Sequence, residues 1–166
     1  MTGGLEYSVV MNNQTIVADA TLIIIRTASS ATTRASRIEL LSARVGQFGS
    51  TTSQNLGIMI AKKVSAFGTY TSTTPEPIEV GTTASGITGS TSAAAASAGT
   101  DASAEGAGAA TPIVIDAFNV LNGWLWVPVP EERIVVPLDT AVVLKIIGTP
   151  GSLVNWNACL SYRELT

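Results

Sequence analysis

The stretch from Asp116 to the C-terminus is the feature that most limits how this chain can fold. It reads DAFNVLNGWLWVPVPEERIVVPLDTAVVLKIIGTPGSLVNWNACLSYRELT, in which runs of β-branched and aromatic residues are separated by Pro and Gly. Short runs of this kind between turn residues are typical of β-strands. We therefore predict strands that follow one another through tight turns such as Asn122-Gly123 and Thr149-Pro150-Gly151. One of these strands is expected from Ile134 to Pro137, continuing through Ala141 to Ile147.

The earlier part of the chain also favours strands. The segment Arg37 to Phe48 fits both helical and strand periodicity, and we interpret it as a strand because its neighbours are strands. The other early strands are predicted at Leu5 to Met11, Leu22 to Arg26 and Leu56 to Tyr70. Seven to nine short strands without a convincing helix predict an all-β fold, an antiparallel β-sandwich or jelly roll. With 166 residues, the chain is predicted to form a single domain over residues 1–166.

Residues 81–111 differ from the rest of the chain in composition. They are rich in Gly, Ala, Ser and Thr, and Ile87 is their single large apolar side chain. Such a segment offers little surface to offset the ordering of its backbone, which costs about 1 to 2 kcal/mol per residue. We therefore predict an extended loop or arm, and expect a deletion within Ser85 to Gly108 to leave the fold intact.

The composition favours an assembled protein. Charged residues make up 13% of the chain and hydrophobic ones 46%, against about a quarter charged in typical domains. Together with the three Trp residues, this predicts a homo-oligomer, with a homotrimer favoured.

Nucleic acid and membrane are not expected partners. A net charge of −3 and a pI near 4.8 disfavour binding to phosphates. The run Leu22 to Ile25 is far shorter than the roughly 20 residues of a membrane span. The N-terminal residues lack the pattern of a signal peptide, so we expect synthesis in the host cytoplasm.

The residues available for chemistry are few. The chain contains no His and a single Cys, Cys159, which is expected to be a small buried hydrophobe rather than a nucleophile. No two acidic residues are spaced in a way that requires a shared site, and neither phosphate-loop nor calcium-loop spacing is present. We predict no enzyme activity, no catalytic residue, no cofactor and no metal site.

The aromatic and charged residues near the end of the chain are the candidate interface. Trp124 and Trp126 lie two residues apart on one strand and should share a face, and acids flanked by Pro130 and a basic residue suggest a solvated corner that bridges within or between subunits. For the Trp residues, burial in the core or at a subunit interface is the favoured interpretation, and a stacked-ring platform for sugar, including Trp156, is the alternative. The candidate interface residues are Trp124, Trp126, Glu131, Glu132 and Arg133.

Three motifs in the last third carry a family resemblance. They are Asp-Ala-Phe-Asn-Val at Asp116 to Val120, Gly123-Trp124, and the Pro-Val-Pro-Glu-Glu-Arg of Pro128 to Arg133, which two strands follow. This arrangement resembles a family of small virion structural proteins encoded beside capsid genes in tailed phages. The central segment departs from that family, because it is longer and richer in Ala than the family's linker.

The resemblance implies a capsid decoration, or cement, protein. Such a protein would lie on the virion surface, bind the major capsid protein and stabilise the assembled phage shell. The alternative is a carbohydrate- or receptor-binding β-sandwich module of a phage tail or fibre. An enzyme that works with carboxylates alone is the least favoured class.

Overall fold

The structure, a computed structural model, describes residues 4–29, 37–88 and 96–165. Over these residues the chain forms twelve strands and a 3-10 helix at Pro130–Glu132. The strands are β1 Glu6–Gln14, β2 Thr21–Arg26, β3 Arg37–Gln47, β4 Asn55–Lys63, β5 Thr69–Ser72, β6 Glu76–Pro77, β7 Ser97–Ala104, β8 Ala110–Asn119, β9 Trp124–Trp126, β10 Val135–Val136, β11 Ala141–Ile147 and β12 Trp156–Leu165.

The strands pair into two six-stranded antiparallel sheets. Sheet A has the order β10-β3-β12-β1-β6, and β9 also pairs with β3. Sheet B has the order β5-β7-β2-β11-β4-β8. The two sheets pack face to face, so the prediction of an all-β antiparallel sandwich is confirmed.

One hydrophobic core lies between the two sheets. Along β12 every second side chain points inward, so that Trp156, Ala158, Leu160 and Tyr162 are buried. Facing strands of sheet B contribute a matching apolar row, which includes Ile23, Ile25, Val142, Leu144, Ile58 and Ile60. The period-2 pattern of the sequence therefore places this core.

The prediction of a loop over residues 81–111 is wrong for much of that segment. Ser97–Ala104 form β7, which lies between β5 and β2 inside sheet B. β8 begins at Ala110, still within the expected loop. Residues 89–95 lie outside the part of the chain that the structure describes.

Small side chains are what allow β7 to occupy this place. Gly99 pairs with Ile24, and a Cβ atom at Gly99 would overlap the ring of Tyr70. Ser97 and Ala98 are fully buried. β7 is thus stabilised by backbone pairing on both edges and by contact with the large side chains of its neighbours. A count of the large apolar residues within β7 itself does not include these contributions.

Residues 85–87 also belong to the core or contact it. Ile87 is fully buried in the main hydrophobic cluster. Ser85 Oγ lies 2.7 Å from both the Tyr162 hydroxyl and Glu164 Oε1, and the Gly86 amide donates to the same carboxylate oxygen at 2.7 Å. Burial raises the pKa of the Tyr162 phenol. A deletion that includes Ile87 or β7 would remove core contacts or an inner strand of sheet B, so we now expect such a deletion to destabilise the fold.

Two boundaries also differ from the sequence prediction. The single strand expected over Leu56 to Tyr70 is divided, because β4 ends at Lys63 and β5 begins at Thr69. The strand expected to continue through Ile134 to Ile147 is divided as well, and its halves lie in different sheets, β10 in sheet A and β11 in sheet B. In both cases a turn redirects the chain where the sequence shows only a brief break in apolar character.

The outer face of sheet B carries a second, smaller apolar cluster. Its buried members are Ile24, Ala61, Ala141 and Val143, and Met59, Phe67, Tyr70 and Ala110 pack against them. The Arg26 guanidinium lies 4.4 Å from the centre of the Phe67 ring and pairs with Asp139 at 2.8 Å. Much of this outer face is therefore covered by the chain itself.

Candidate interface on the outer face of sheet A

The outer face of sheet A carries a row of four side chains across four strands. Val10 pairs with Cys159, Cys159 with Arg44, and Arg44 with Leu125. Residues opposite one another in adjacent strands point to the same face. Val10 is 49% exposed and Leu125 is 68% exposed, and Arg44 is exposed between them.

This row forms part of a groove of about 540 Å³. Small residues such as Cys159 and Gly46 line the groove. The exposed apolar side chains of Phe48 and Leu121 also line it, together with Val10 and Leu125. Side-chain amides complete the lining at Asn12, Gln47, Asn122 and Asn157. Arg44 is the only charged residue among the lining residues, so the groove is apolar and amide-rich around a single cation.

The Trp residues of the candidate interface lie beneath this surface. Trp124 and Trp126 do share the inward face of β9, as predicted. Trp124 is only 7% exposed and belongs to the core, and Trp126 packs against that core half-buried. Of the two interpretations favoured from the sequence, core and subunit interface, the structure supports the core for Trp124, so this residue is not an exposed member of the candidate interface. Trp156 is fully buried, and its indole N–H donates to the Ser152 carbonyl at 2.9 Å.

The Trp124 indole makes a specific contact with the edge of sheet B. Its N–H donates to Asp116 Oδ2 at 2.9 Å, and the Ala117 backbone N–H donates to Asp116 Oδ1 at 2.7 Å. These two hydrogen bonds, the indole bond first, lower the pKa of the Asp116 carboxyl. Because β8 is an outermost strand of sheet B, this carboxylate also caps a backbone donor that would otherwise face an open edge.

The exposed apolar residues are the ones that alternate with the Trp residues. Leu125 lies between the two indoles and points outward, and Val127 and Val129 continue the exposed row at 65% and 55%. The sequence contained a signal for them, since a strand with apolar residues at consecutive positions is apolar on both faces. These residues were not among the predicted interface residues.

The charged members of the candidate interface have separate environments. Glu131 and Glu132 are exposed on the 3-10 helix. Arg133 turns away from them, and its Nη1 lies 3.4 Å from Glu39 Oε2. The same Glu39 oxygen lies 3.4 Å from Arg163, which also pairs with Glu6 at 2.5 Å. Arg133 therefore forms an ion pair within the chain, and not with its two acidic neighbours.

Cys159 is buried, at 7% exposure, in the floor of the groove. Over the described ranges, no group of three His, Cys, Asp or Glu side chains is placed to hold a metal ion. A search of the same ranges finds no helix with the length and apolar character to cross a membrane.

Comparison of the chain with protein-family models, with curated proteins and with solved structures finds no match. The functional argument therefore starts from the groove and the exposed apolar row beside it.

Proposed function

We propose that this chain is a non-enzymatic virion structural protein, a decoration protein that binds the major capsid protein of a tailed phage and stabilises the assembled shell. The observation that carries the proposal is the exposed apolar surface around the groove of sheet A, which includes Leu125, Val127 and Phe48. Exposed apolar patches of this kind mark protein interaction sites. The resemblance of the last third to virion structural proteins supplies the phage context.

The mechanism requires no reaction. A ligand that binds the assembled shell but not free subunits stabilises the shell by RT ln(1 + [L]/Kd), about 4 kcal/mol per site at a thousand-fold excess over Kd. A rigid sandwich is suited to this, because strand pairing holds groove residues such as Val10 and Leu125, which lose little freedom on binding. A homotrimer would contact neighbouring capsomers at three points, and these contacts would reinforce one another.

The test uses virions of the phage that encodes the chain. Particles that lack the protein should assemble, but should release DNA at a lower temperature than complete particles. Adding the purified wild-type protein should restore the higher temperature, whereas a Leu125→Asp variant should not. Equal heat resistance of complete and deficient particles would remove the decoration function. A Val80→Ala variant is the control, because Val80 is exposed and does not line the groove.

A second function is favoured by the amide groups of the groove. Asn12, Asn122 and Gln47 line it beside the exposed ring of Phe48, and amides with an aromatic ring are groups that bind sugars. This is the receptor-binding alternative, and it places the sugar against Phe48 because Trp124 and Trp156 are buried. Binding to a glycan array that is lost in Phe48→Ala, together with unaltered heat resistance of deficient particles, would favour this function.

A further inference from the structure

An exposed segment with both apolar and acidic side chains follows β9. Val127 and Val129 project from it, Pro128 between them is buried, and Glu131 and Glu132 end it in the 3-10 helix. At Val129 the backbone is extended, with φ −65° and ψ 157°, values of a polyproline II conformation. The segment Val127–Glu132, here called the VPVPEE segment, therefore has two exposed Val side chains on an extended part, followed by two carboxylates on a 3-10 turn.

The groove of sheet A has the complementary character. Its exposed apolar side chains include Leu121, Leu125 and Phe48, and its single charge is the Arg44 cation. Arg44 takes part in none of the ion pairs found within residues 4–29, 37–88 and 96–165, and neither do Glu131 and Glu132. The groove therefore offers apolar side chains and one cation, and the VPVPEE segment offers two Val side chains and two carboxylates. The two surfaces are complementary in apolar character and in charge.

The register of sheet A keeps the segment of one chain away from its own groove. Trp124 pairs with Val45, and Val136 pairs with Ile38. The chain from Trp124 to Val136 therefore runs toward the Ile38 end of β3, away from the groove. These two points on β3 are about 24 Å apart at 3.4 Å per residue. The groove lies beside Arg44 to Phe48, at the other end of β3. The segment starts at the border of its own groove and leads away from it.

We propose that the VPVPEE segment of one copy docks in the sheet A groove of a second copy. Val127 and Val129 lie against Leu121, Leu125 and Phe48, and a carboxylate of Glu131 or Glu132 pairs with Arg44. Proline-rich extended strips bind apolar, aromatic-lined grooves in this manner. Because segment and groove are different surfaces, each copy offers one of each, and head-to-tail contacts can close into a ring. This inference deepens the homotrimer part of the proposed function and rests on it.

The experiment measures self-association of the purified full chain by sedimentation. Arg44→Glu and the double variant Glu131→Lys/Glu132→Lys should each raise the self-association Kd by about 100-fold, since each opposes like charges. The triple variant that carries all three changes restores opposite charges and should return to within about 10-fold of the wild-type Kd. Matched controls with the same changes of charge are Lys62→Glu and Glu76→Lys/Glu79→Lys, at exposed positions away from the groove.

The outcomes separate this inference from the proposed function. Rescue by the triple variant, with unaltered controls, establishes that the two surfaces touch. Three results would overturn the docking. The first is a wild-type chain that stays monomeric at high concentration, and the second is an Arg44→Glu variant that associates like wild type. The third is a triple variant that stays dissociated although its far-ultraviolet circular dichroism matches that of wild type. The proposed function fails by a different measurement, when wild-type protein does not protect deficient particles from heat.

Discussion

Replacement of Ile87 by Ala tests the part of the fold that the sequence did not predict. Ile87 is fully buried in the main cluster, within a segment whose composition predicts a surface loop. Removal of a buried Ile side chain to Ala costs about 2 to 5 kcal/mol, through lost transfer energy and the cavity left behind. On a surface loop the same change would alter the free energy of unfolding by less than about 0.5 kcal/mol. The two interpretations therefore differ by a measurable amount.

The assay is urea unfolding followed by Trp fluorescence. With an m-value of about 2 kcal/mol/M, the urea midpoint of Ile87→Ala should fall by about 1 to 2.5 M. The milder Ile87→Val should cost about 0.5 to 1.5 kcal/mol, which gives a graded series. In thermal unfolding, a chain of this size loses about 2 to 4 °C per kcal/mol, so Ile87→Ala should melt roughly 4 to 20 °C lower.

Val80→Ala is the matched control, one residue before the same segment. Val80 is 97% exposed, so its truncation removes almost no buried surface and should leave the midpoint unaltered within about 0.5 kcal/mol. If Ile87→Ala unfolds at the same urea concentration as Val80→Ala, Ile87 lies on the surface. The segment before β7 would then be the loop that its composition predicts.

Three further predictions concern single contacts. Burial raises the folded pKa of Tyr162 above its ordinary value of about 10, so the unfolded chain loses this proton first as pH rises. The free energy of unfolding of the wild type should therefore fall above about pH 10, and its difference from that of Tyr162→Phe should become smaller there. The folded pKa of Asp116 is lowered, so Asp116→Asn should be less stable than wild type at pH 7, and the difference should vanish in urea titrations as pH falls well below 4. Gly99→Ala should cost about 1 to 3 kcal/mol by displacing the Tyr70 ring, whereas Gly46→Ala, which meets open space, should be neutral in the same titration.

The fold class could be predicted because the chain has many short runs of β-branched and aromatic residues between turns, and because strands such as β12 alternate with period 2. In β12 the sequence Trp156, Ala158, Leu160, Tyr162 sets the buried face without help from any other strand. The strand choice for Arg37 to Phe48 was correct for a different reason, since its own pattern was ambiguous and its neighbours decided it. Local pattern and context agree over most of sheet A, and prediction succeeds there.

β7 could not be predicted because its stabilising partners are distant in sequence. Ser97 to Thr100 carry no apolar period, and the groups that cover them come from Tyr70 and from β2. Small residues with long β-branched neighbours can fill the interior of a sheet as well as large ones can, provided that the neighbours approach closely. A composition rule that weighs each segment by its own side chains cannot detect that arrangement.

The sequence does not determine which face of β9 is exposed. β9 has large apolar residues at three consecutive positions, Trp124, Leu125 and Trp126, so both of its faces are apolar. Period 2 alone correctly groups the two Trp side chains, yet it does not say which group faces the core. The larger indoles fill the space between the sheets, where each buries more surface, and Leu125 is left outside.

The two outer faces of the sandwich then differ in a way that bears on function. Sheet B covers part of its outer apolar surface with Phe67 and Tyr70 and pairs Arg26 with Asp139 there, although Ile115 on its outermost strand is 64% exposed. Sheet A leaves Val10, Leu125 and Phe48 exposed around Arg44, which forms no ion pair with the residues that the structure describes. With only 13% charged residues, the chain has few charges near this face to keep its apolar side chains hydrated. Burial of this face by a second copy or by a capsid subunit removes the exposed apolar surface that folding leaves behind, and the same contact would provide the binding energy that a decoration protein requires.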